Sequence, residues 1–485
     1  MKGCALPEQY DVVVVGAGSG GIGAALAASR MGLATLLVEK ADGLGGTAAR
    51  GGVSLWEPGV GGTGIPFDIY RRLKKIPGAV GVYSFGRHGS WAKPGEVRFP
   101  GGEHVVDPSR RYATTLCRYG TGHLRDNEPA RRKMWHGVVF EPDAYARVVE
   151  QMLAETGRCT VMKGTRFVFV KVDGGRIVSL HLSDGREVAA GAYVDGAAGE
   201  LAVACGCETM LGRESADAFR EPAAPDRPSP AINGVTLIYR VTPIDAPAVE
   251  PLPAGVPEAC WWAESFPGVS MVHYPCGDRN MNMLPTMEGL AFQRLAARAA
   301  MIECRRRVRA HWHHFQTDYP EFRGFRVSWI APGLGVREGR RVVGEYVLTQ
   351  HDLLTGLSGQ RHADVIAIAD HSMDRHGAGG GCGELDQPYG IPYRCLIPRG
   401  FGNLLVACRA ASFSSIAASS CRLSRTMLAL GQAAGTAAAL AKDLGVDLPD
   451  VPPDRIRDEL RAQHVQFEFP LSPELVNHLR REDDD

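Results

Sequence analysis

The sequence has no net charge and no paired cysteine motif, and each lack excludes a class of protein. Its 54 Lys and Arg balance 54 Asp and Glu, so it lacks the basic field that nucleic-acid or anionic-membrane binding normally needs. The twelve Cys form no CxxC pair, and Cys205 and Cys207 lie too close together for the usual zinc or iron–sulfur knuckles. His371, with Asp370 and Asp374, shows no recognisable metal spacing. We expect reduced thiols, no metal and no nucleic-acid partner.

Nothing in the sequence indicates a targeting segment or a membrane span. Residues 1–10 have neither a positively charged start before an apolar run nor a small-residue cleavage site. Residues 12–38 carry one charge, Arg30, but they are dense in Gly and Ala and hold a motif that explains them better than a membrane span. We therefore expect a cytoplasmic protein with no membrane partner.

Lysine is scarce, since only nine of the 54 basic residues are Lys and the rest are Arg. Planar guanidinium groups suit carboxylate or phosphate groups on a substrate. A bias in coding composition explains the excess of Arg as simply, so the composition leaves both explanations open.

What the sequence does have is length and a glycine pattern near its start. Its 485 residues, 45% of them hydrophobic, suffice for two domains with a substantial core. Tyr10–Val15 is a β-branched run typical of a parallel strand buried on both faces. Gly16–Gly21 follows at once, and Ile22–Arg30 predicts a small-residue helix that packs closely on that strand.

The three spaced glycines of this turn have different roles. Gly16 permits the tight turn, Gly18 lets backbone approach a pyrophosphate, and Gly21 removes a side chain where the helix meets the strand. The helix N-terminus presents free N–H groups and a positive dipole to the phosphates. A second strand, residues 35–38, ends in Glu39, whose carboxylate is placed to accept the ribose hydroxyls of an adenosine. This order predicts a Rossmann-type dinucleotide site.

Two other glycine-rich segments lack that context. Residues 59–64 repeat the glycine spacing but follow no predicted strand and open no predicted helix, so we do not interpret them as a second nucleotide site. Residues 377–383 follow no predicted strand either, and we expect a mobile loop there. A second motif for NAD(P)H is thus missing, which leaves the substrate, oxygen or a separate electron acceptor to exchange electrons with the protein.

Segments beyond the first motif favour FAD over NAD. Gly45–Gly52 consists mostly of Gly and Ala, and such a stretch lets backbone lie flat against a large ring. Far downstream, Asn403–Arg409 is typical of a last buried strand, and Gly431–Leu440 of a long small-residue helix.

With these segments in this order, the sequence resembles the FAD-dependent oxidoreductases related to the glutathione-reductase and fumarate-reductase flavoproteins, nearly from end to end. The resemblance implies that the Gly-Gly-Thr segment wraps toward the flavin, and that the late strand and helix close over the cofactor. It also implies that the strand of residues 165–173 meets the adenine and that Asp195–Glu200 matches the Asp-Ala-Thr-Gly-Asp turn of the family. The residues that we assign to FAD on these grounds are Gly16, Gly18, Ser19, Gly20, Gly21, Glu39, Lys40, Gly45, Gly46, Thr47, Arg50, Gly51, Gly52, Phe167, Ala197, Ala198, Gly199, Cys408, Arg409 and Ser414.

The sequence departs from the family at two positions. Cys408 stands where the late strand usually has the Gly of Ala-Gly-Arg, and Ala198 where the middle turn has Thr. A Cys β-carbon crowds a place where backbone normally approaches the cofactor. Cys408 is either a buried small residue or a redox-active thiol, although no second Cys at CxxC spacing supports the thiol. Residues 43–52 contain no His of the kind that tethers flavin in related dehydrogenases, so we expect non-covalent FAD.

The resemblance implies an α/β fold: a Rossmann-type FAD-binding domain, split in sequence, with a parallel sheet and helices, plus a mixed α+β substrate or cap domain. We assign residues 1–70, 140–215 and 330–450 to the FAD-binding domain, 71–139 and 216–329 to the cap, and 451–485 to a C-terminal extension.

Two local predictions concern the cap and the chain end. Residues 288–315 contain no Pro and predict one long helix. Residues 480–485 are charged and predict a mobile tail.

Hydride transfer needs a substrate carbon beside the flavin, a group that exchanges the matching proton and donors that hold the substrate. Our candidates for these roles are His136, His273, Arg337, Tyr393 and Arg394, and His351, His371 and His376 are further candidates that we rank below them. His136 and His273 are equally compatible with structural hydrogen bonding. Arg337 begins an Arg-Glu-x-Arg-Arg run that resembles a family signature linking the two domains, and an interdomain ion-pair network explains it as well.

The function that we predict is an FAD-dependent dehydrogenase or reductase that acts on a small organic substrate, of the kind found in specialised metabolism. A flavin-dependent monooxygenase is an alternative, but that class has Gly-Asp at the late strand, where this chain has Cys408-Arg409. A non-catalytic flavin-binding or electron-transfer subunit is a third. The missing iron–sulfur spacing and the His, Tyr and Arg residues of the cap count against it.

Overall fold

The computed structural model of the protein describes residues 8–87, 103–124, 126–263, 268–377 and 381–484. Parts of the predicted cap and of the predicted mobile loop lie outside the described residues, namely 88–102, 125, 264–267 and 378–380. Every residue assigned above to a site is described.

The strands of the described residues form six sheets. In chain order they are β1 (Glu8–Val15), β2 (Thr35–Glu39), β3 (Leu55–Trp56), β4 (Val80–Ser84), β5 (Val105–Val106), β6 (His136–Phe140), β7 (Cys159–Lys163), β8 (Phe167–Asp173), β9 (Arg176–Leu182), β10 (Glu187–Asp195), β11 (Thr209–Met210), β12 (Tyr239–Pro243), β13 (Val269–His273), β14 (Arg279–Met283), β15 (Phe325–Ile330), β16 (Arg341–Val342), β17 (Val365–Ala369), β18 (Met373–Arg375), β19 (Gly381–Gly383), β20 (Tyr389–Pro392) and β21 (Leu404–Val406).

Helices lie between and after these strands along the chain. In chain order they are α1 (Ser19–Arg30), α2 (Gly46–Ala49), α3 (Ile65–Lys74), α4 (Glu128–Met134), α5 (Pro142–Glu155), α6 (Glu200–Ala204), α7 (Ala216–Phe219), α8 (Gly289–Gln293), α9 (Ala297–Asp318), α10 (Gln350–Gly359), α11 (Ser415–Cys421), α12 (Ser424–Leu444), α13 (Pro453–Ala462) and α14 (Pro473–Arg480). Short 3-10 turns cover Tyr112–Thr115, Gly122–Leu124, Pro320–Gly324, Tyr393–Leu396, Leu448–Asp450 and Arg481–Asp483.

The largest sheet confirms the predicted α/β class. Its order is β7-β2-β1-β10-β9-β8, with β21 also paired to β10. Strand β1 pairs in parallel with β2 and β10, and β21 runs parallel to β10. Val12, Val13 and Val14 are fully buried, as a β-branched strand covered on both faces requires. The carboxyl ends of these parallel strands lie at one edge, where ligands bind in this class of fold.

The first helix and the late small-residue helix touch through their backbones. A β-carbon on Gly431 of α12 would overlap the Gly20 carbonyl of α1, and one on Gly23 would overlap the Leu428 carbonyl. Only glycine allows two helices to approach so closely. Helix α12 therefore clamps α1 against the sheet and fixes the N-terminus of α1 in place.

Two further sheets have four strands each, in the orders β13-β14-β12-β15 and β3-β6-β4-β5, and we refer to them as the cap sheets, although β3 lies in residues 1–70, which were predicted to belong to the FAD-binding domain. Helix α9 covers the first of these two sheets. Its buried residues recur every three or four positions, so they lie on one face of the helix and pack in one core. They include Ala300, Cys304, Val308, Trp312 and Phe315. The division of the chain into two domains stays a prediction.

The predicted long helix at 288–315 is wrong in its bounds. The segment forms α8, then an extended break at Ala296 with ψ 147°, then α9, which continues to Asp318. Helix α9 stops before Pro320, because the residue preceding a proline disfavours the helical region.

Residues 480–484 are anchored, contrary to the prediction of a mobile tail, and residue 485 lies outside the described residues. Glu482 is buried, accepts the Tyr112 N–H at 2.8 Å and pairs with Lys74 and Arg111 at 2.9 Å each. A buried carboxylate with two cationic partners holds the chain end against α3.

The second glycine run also differs from expectation. Helix α3 begins at Ile65, directly after Gly64, whose φ is 69°, and β3 precedes the run. The strand is only two residues long, so the sequence pattern did not reveal it.

Candidate functional site

A cavity of about 390 Å³ opens where the glycine turn after β1 meets the cap, a size and position typical of small-molecule sites. Its sheet-side wall includes Gly18, Ser19, Gly20, Thr47, Ala198, Cys408 and Arg409. Its cap-side wall includes Tyr83, Phe85, His104, Thr236, Ser270, Asn282 and Arg337. A third wall includes Asp370, His371, Asp374, His376, Arg422 and Arg425. One cavity thus brings predicted cofactor residues together with ionisable groups from distant segments.

Gly18 tests whether the turn fits a dinucleotide phosphate. Its φ of −74° is ordinary for any residue, and an added β-carbon would come no closer than 3.5 Å to another residue, at the Gly196 carbonyl. Neither strain nor a protein neighbour requires glycine here, so the space that a side chain would fill belongs to the cavity. Helix α1 begins at this point without a capping side chain, which leaves N–H groups for an anion. The turn fits a pyrophosphate.

Glu39 ends β2 beside this turn, as predicted for the ribose acceptor. Its carboxylate accepts the Ala17 N–H at 2.7 Å and the Ala41 N–H at 2.8 Å. The Thr165 N–H donates to the Glu39 carbonyl at 3.0 Å, so the segment that leads into half-buried Phe167 starts next to this carboxylate. The glycine turn, Glu39 and the segment that leads into Phe167, all predicted to bind the cofactor, therefore meet at one edge of the sheet.

The Gly-Gly-Thr segment lies against the same turn. The Gly45 N–H donates to the Ala17 carbonyl at 2.9 Å, and Gly45 has a φ of 100°. A β-carbon on Gly46 would approach the Gly18 α-carbon to 2.8 Å. Thr47 follows and lines the cavity.

Asp195, at the end of β10, organises the middle turn. It is fully buried and accepts the N–H groups of Ala197 at 2.8 Å, Ala202 at 3.0 Å and Gly199 at 3.2 Å. Burial raises the pKa of Asp195 despite these bonds. Ala198, where the family has Thr, sits at a φ of 61° and lines the cavity.

Cys408 and Arg409 follow β21 at the cavity wall. Burial raises the pKa of Cys408 to about 12, which keeps the thiol protonated and favours the buried small residue over a reactive thiol. Burial lowers the pKa of Arg409. Its Nε is buried without a hydrogen-bond partner, and such an orphaned cationic donor at a cavity suits an anionic ligand.

The other residues assigned to FAD support the site from behind or lie near it. Gly16 and Gly21 pack at the turn, where a β-carbon would collide with Ala197 or with the Gly16 carbonyl. Ser414 caps α11 through the Ala417 N–H. Lys40 pairs with Glu200 at 2.5 Å. The remaining ones, which do not line the cavity, are Gly51, Gly52, Gly199 and Arg50, the last of which pairs with Asp42.

An ion-pair network stiffens the third wall. Arg118 is buried and pairs with Glu57 at 2.9 Å and Glu384 at 2.8 Å. His371 Nε2 lies 3.1 Å from Glu57 Oε2. The Arg118 guanidinium also stacks 4.7 Å from the centre of the Trp135 ring. Since every member has a partner, we interpret this network as a scaffold for the cavity.

His376 and Asp374 form a second polar pair in the cavity. His376 Nε2 lies 2.6 Å from Asp374 Oδ2, and the His376 N–H donates to Asn233 Oδ1 at 2.6 Å. Burial, and then the charge of Arg337, lower the pKa of His376, so the ring is neutral near pH 7. Arg422 Nη2, 3.3 Å from Asp374, helps keep that carboxylate ionised. The imidazole then donates Nε2–H to Asp374 and leaves Nδ1 as a proton acceptor.

Arg337 is the only one of the five first-ranked catalytic candidates that lines the cavity. Its Nη1 donates to the Gly234 carbonyl at 3.0 Å and to Thr236 Oγ1 at 2.6 Å. Burial, and then the charge of Arg422, lower the pKa of Arg337 to about 10.

The structure does not bring the other four candidates to the cavity wall. His136 is buried in β6, with Nε2 3.1 Å from the Lys133 carbonyl. His273 ends β13, 3.9 Å from Glu103. Tyr393 donates to the Leu448 carbonyl at 2.9 Å, and Arg394 pairs with Asp364 at 3.0 Å on the surface. Their catalytic roles stay predictions. His136, Tyr393 and Arg394 each have a hydrogen-bond partner, whereas His273 Nε2 is buried without one among the described residues.

Sequence reasoning considered His376 but did not choose it. Asp374 and His376 are two residues apart on β18 and just after it, and their pairing depends on how β18 meets β19 and Asn233. An Asp-x-His spacing next to a predicted loop was the only local signal.

Among the described residues, no group of three or more His, Cys, Asp or Glu side chains is arranged to hold a metal ion. No helix in the described ranges is long and apolar enough to cross a membrane.

A family model described as FAD dependent oxidoreductase matches residues 11–460, which is most of the chain. It spans the glycine turn, both cap sheets and the late helix. The resemblance inferred from the motifs is therefore confirmed.

Curated relatives are similar over shorter segments. A 3-oxosteroid 1-dehydrogenase of Mycobacterium tuberculosis is 36% identical over 92 residues, 19% of this chain and 15% of that protein. A 4-oxocyclohexanecarboxylate 2-dehydrogenase of Sinomonas cyclohexanicum is 51% identical over 49 residues, 10% of this chain and 8% of that protein. The chain thus matches no more than 15% of the length of these two relatives.

Among solved structures, a geranylgeranyl bacteriochlorophyll reductase-like protein from Thermoplasma acidophilum is similar over 98% of this chain and 97% of its own. The two share 14% sequence identity, and the TM-score is 0.47.

Proposed function

This chain belongs to the family of FAD dependent oxidoreductases, and from that premise we propose that it is a dehydrogenase or reductase of a small organic substrate. Hydride moves between the substrate and FAD, which is held without a covalent bond. The observation that carries this proposal is that one cavity joins the Gly18 turn to Arg337 and His376.

The cofactor side of the proposal assigns FAD to the sheet edge. The N–H groups at the start of α1 would hold the pyrophosphate, and Glu39 would hold the ribose of the adenosine. Thr47, Ala198 and Arg409 line the adjoining part of the cavity and would contact the flavin portion. When bound there, FAD supplies the hydride acceptor or donor.

On the substrate side, the proposal assigns proton transfer to His376. Loss of hydride from a substrate leaves one proton to remove, and a neutral imidazole beside the substrate accepts it at Nδ1. Asp374 fixes the ring and stabilises the imidazolium that forms. In the reductive direction the same ring returns the proton.

The apolar part of the cavity wall keeps water away from this exchange. Trp56, Tyr83, Phe85 and Val60 line it and are each at most 5% exposed. Excluding water strengthens the polar contacts inside and protects a reduced flavin from side reactions.

The test is anaerobic bleaching of the bound flavin. The names of the two relatives describe dehydrogenation of compounds that carry an oxo group, so 4-oxocyclohexanecarboxylate and a 3-oxosteroid begin the substrate screen. We expect purified protein to show an oxidised flavin spectrum, which one compound of the screen bleaches in wild type but only slowly in His376→Gln.

Three outcomes would contradict the proposal. Protein that stays colourless after incubation with excess FAD would show that it does not bind this cofactor. A flavin that no organic compound bleaches would favour an electron-transfer subunit, and NADPH-dependent hydroxylation with rapid reoxidation in air would favour a monooxygenase.

A further inference from the structure

Arg337 is a half-buried cation at the cavity wall, and its hydrogen bonds to the described residues are all to neutral groups. Its Nη1 donates to the Gly234 carbonyl and the Thr236 hydroxyl. In the described part of the chain, no carboxylate forms an ion pair with it. Burial and the neighbouring charge of Arg422 lower its pKa to about 10, so it is still protonated near pH 7.

Two buried arginines of this protein are neutralised by carboxylates, whereas buried Arg425 donates to the Thr115 hydroxyl and to backbone carbonyls. Arg118 pairs with Glu57 and Glu384, and Arg341 pairs with Glu214 at 2.5 Å and Glu338 at 2.6 Å. A buried charge without a counter-ion is costly, because the cation has lost water and gained no opposite charge. At Arg337 the carboxylates of Asp374 and Glu57 raise the pKa without forming an ion pair with it, so part of that cost remains, and it remains at the wall of the cavity.

The free edge of the guanidinium has the geometry of a carboxylate receptor. A guanidinium carries five N–H groups, and the two acceptors at Nη1 leave the donors of Nε and Nη2. Those two nitrogens form one side of the planar group and present parallel N–H bonds that match the two oxygens of a carboxylate. The bonds at Nη1 hold the plane in position before a ligand arrives.

Arg422 adds positive potential to the same cavity from its third wall. Its Nη2 reaches Asp374 at 3.3 Å, whereas its Nε is buried without a hydrogen-bond partner. The cavity that Arg337 and Arg422 face is lined by six arginines and by three carboxylates, Glu57, Asp370 and Asp374, so a ligand with negative charge would offset the excess of positive charge.

We infer that Arg337 binds a carboxylate of the substrate, so that the proposed reaction acts on an organic anion rather than on a neutral compound. This inference rests on the proposed function and names its substrate class. Arg337 is bound to Gly234 and Thr236 of the cap and not to the glycine turn, which favours the substrate over the cofactor phosphates as the source of the anion. The bound carboxylate would be anchored in the same cavity as His376.

Matched pairs of ligands test the charge alone. Calorimetry on FAD-loaded protein measures the affinity of benzoate against benzamide and of cyclohexanecarboxylate against cyclohexanecarboxamide. We expect each carboxylate to bind about tenfold more tightly than its amide, as one charge-assisted contact provides. Arg337→Gln should remove this preference, and Arg337→Lys should keep part of it. Arg340→Gln, which changes an exposed neighbour, should leave the preference intact.

The results that would overturn the inference are equally definite. Wild type that binds neither member of a pair, or binds both equally, would refute it, as would a preference that survives in Arg337→Gln. If Arg337→Gln instead loses FAD and keeps the preference, the anion is the cofactor. The melting temperature and flavin spectrum of each variant report folding, and Arg337→Lys decides the matter if Arg337→Gln does not fold. Absence of any bleaching compound in the substrate screen would sink the proposed function without affecting these affinities.

Discussion

The two sides of the cavity are built in opposite ways. The cofactor side comes from short contiguous segments at the carboxyl ends of parallel strands, with six residues, Gly16–Gly21, providing the turn. The substrate side draws Glu57, Arg118, Arg337 and His376 from four separate segments. Binding a phosphate with backbone N–H groups needs a local conformation, whereas placing an acid or a base needs the whole fold.

This difference explains what the sequence could predict. The class of fold, the cofactor and the position of Glu39 followed from local patterns, because strand periodicity and glycine requirements are set within a few residues. His136 and His273 looked as suitable as His376 until strand pairing placed each ring. Whether a His faces a cavity or a structural partner is a long-range property that one sequence does not encode locally.

The largest expected effect is a loss of FAD binding on the cofactor side of the cavity. In Gly20→Val, the new side chain would overlap the Ala407 carbonyl, so α1 must move away from the turn and FAD binding should be lost. A fluorescence titration with FAD measures this.

Gly324→Ala is the matched control, since a β-carbon there meets nothing within 4 Å, and it should bind FAD like wild type. Normal FAD binding by Gly20→Val would show that the close contact is not needed.

Next in size is an effect confined to the substrate side. His376→Gln should slow substrate-dependent flavin reduction about 100-fold or more, the contribution of a positioned acid or base, with FAD affinity unchanged. Anaerobic stopped-flow absorbance measures the rate. His136→Gln is the control, because that ring is held by the Lys133 carbonyl. A slow His136→Gln and a fast His376→Gln would reverse our assignment.

A smaller effect on the cofactor side concerns Glu39. Glu39→Gln removes the charge that would bind two ribose hydroxyls and should weaken FAD affinity about tenfold, leaving the reduction rate of FAD-saturated protein unchanged. Equilibrium dialysis against FAD measures the affinity. Glu150→Gln, on exposed surface of α5, serves as the control, and equal affinities of the two variants would remove Glu39 from the site.

The pH dependence of kcat/KM tests the role of His376 on the substrate side. Because the pKa of His376 is lowered from 6.5, its neutral form persists below pH 6.5, and kcat/KM for substrate oxidation should fall only as the pH drops through the lowered pKa. The Asp374 carboxylate raises the pKa of His376, so Asp374→Asn should move this acid limb to still lower pH. An acid limb that stays at the same pH in Asp374→Asn would show that Asp374 does not influence the pKa of His376.

The smallest effect is expected at Arg394. Its side chain is 45% exposed, pairs with Asp364 and does not line the cavity. Arg394→Gln should therefore leave both FAD affinity and turnover within about twofold of wild type. Steady-state kinetics would detect a larger loss, which would restore the role predicted from the sequence.

The most direct test of the account is a crystal structure of the protein saturated with FAD. We predict density for the pyrophosphate along the backbone of Gly18–Gly20 and for the flavin inside the cavity that His376 lines. FAD bound elsewhere, or crystals without FAD from a saturating solution, would contradict the claim that one cavity joins cofactor and substrate.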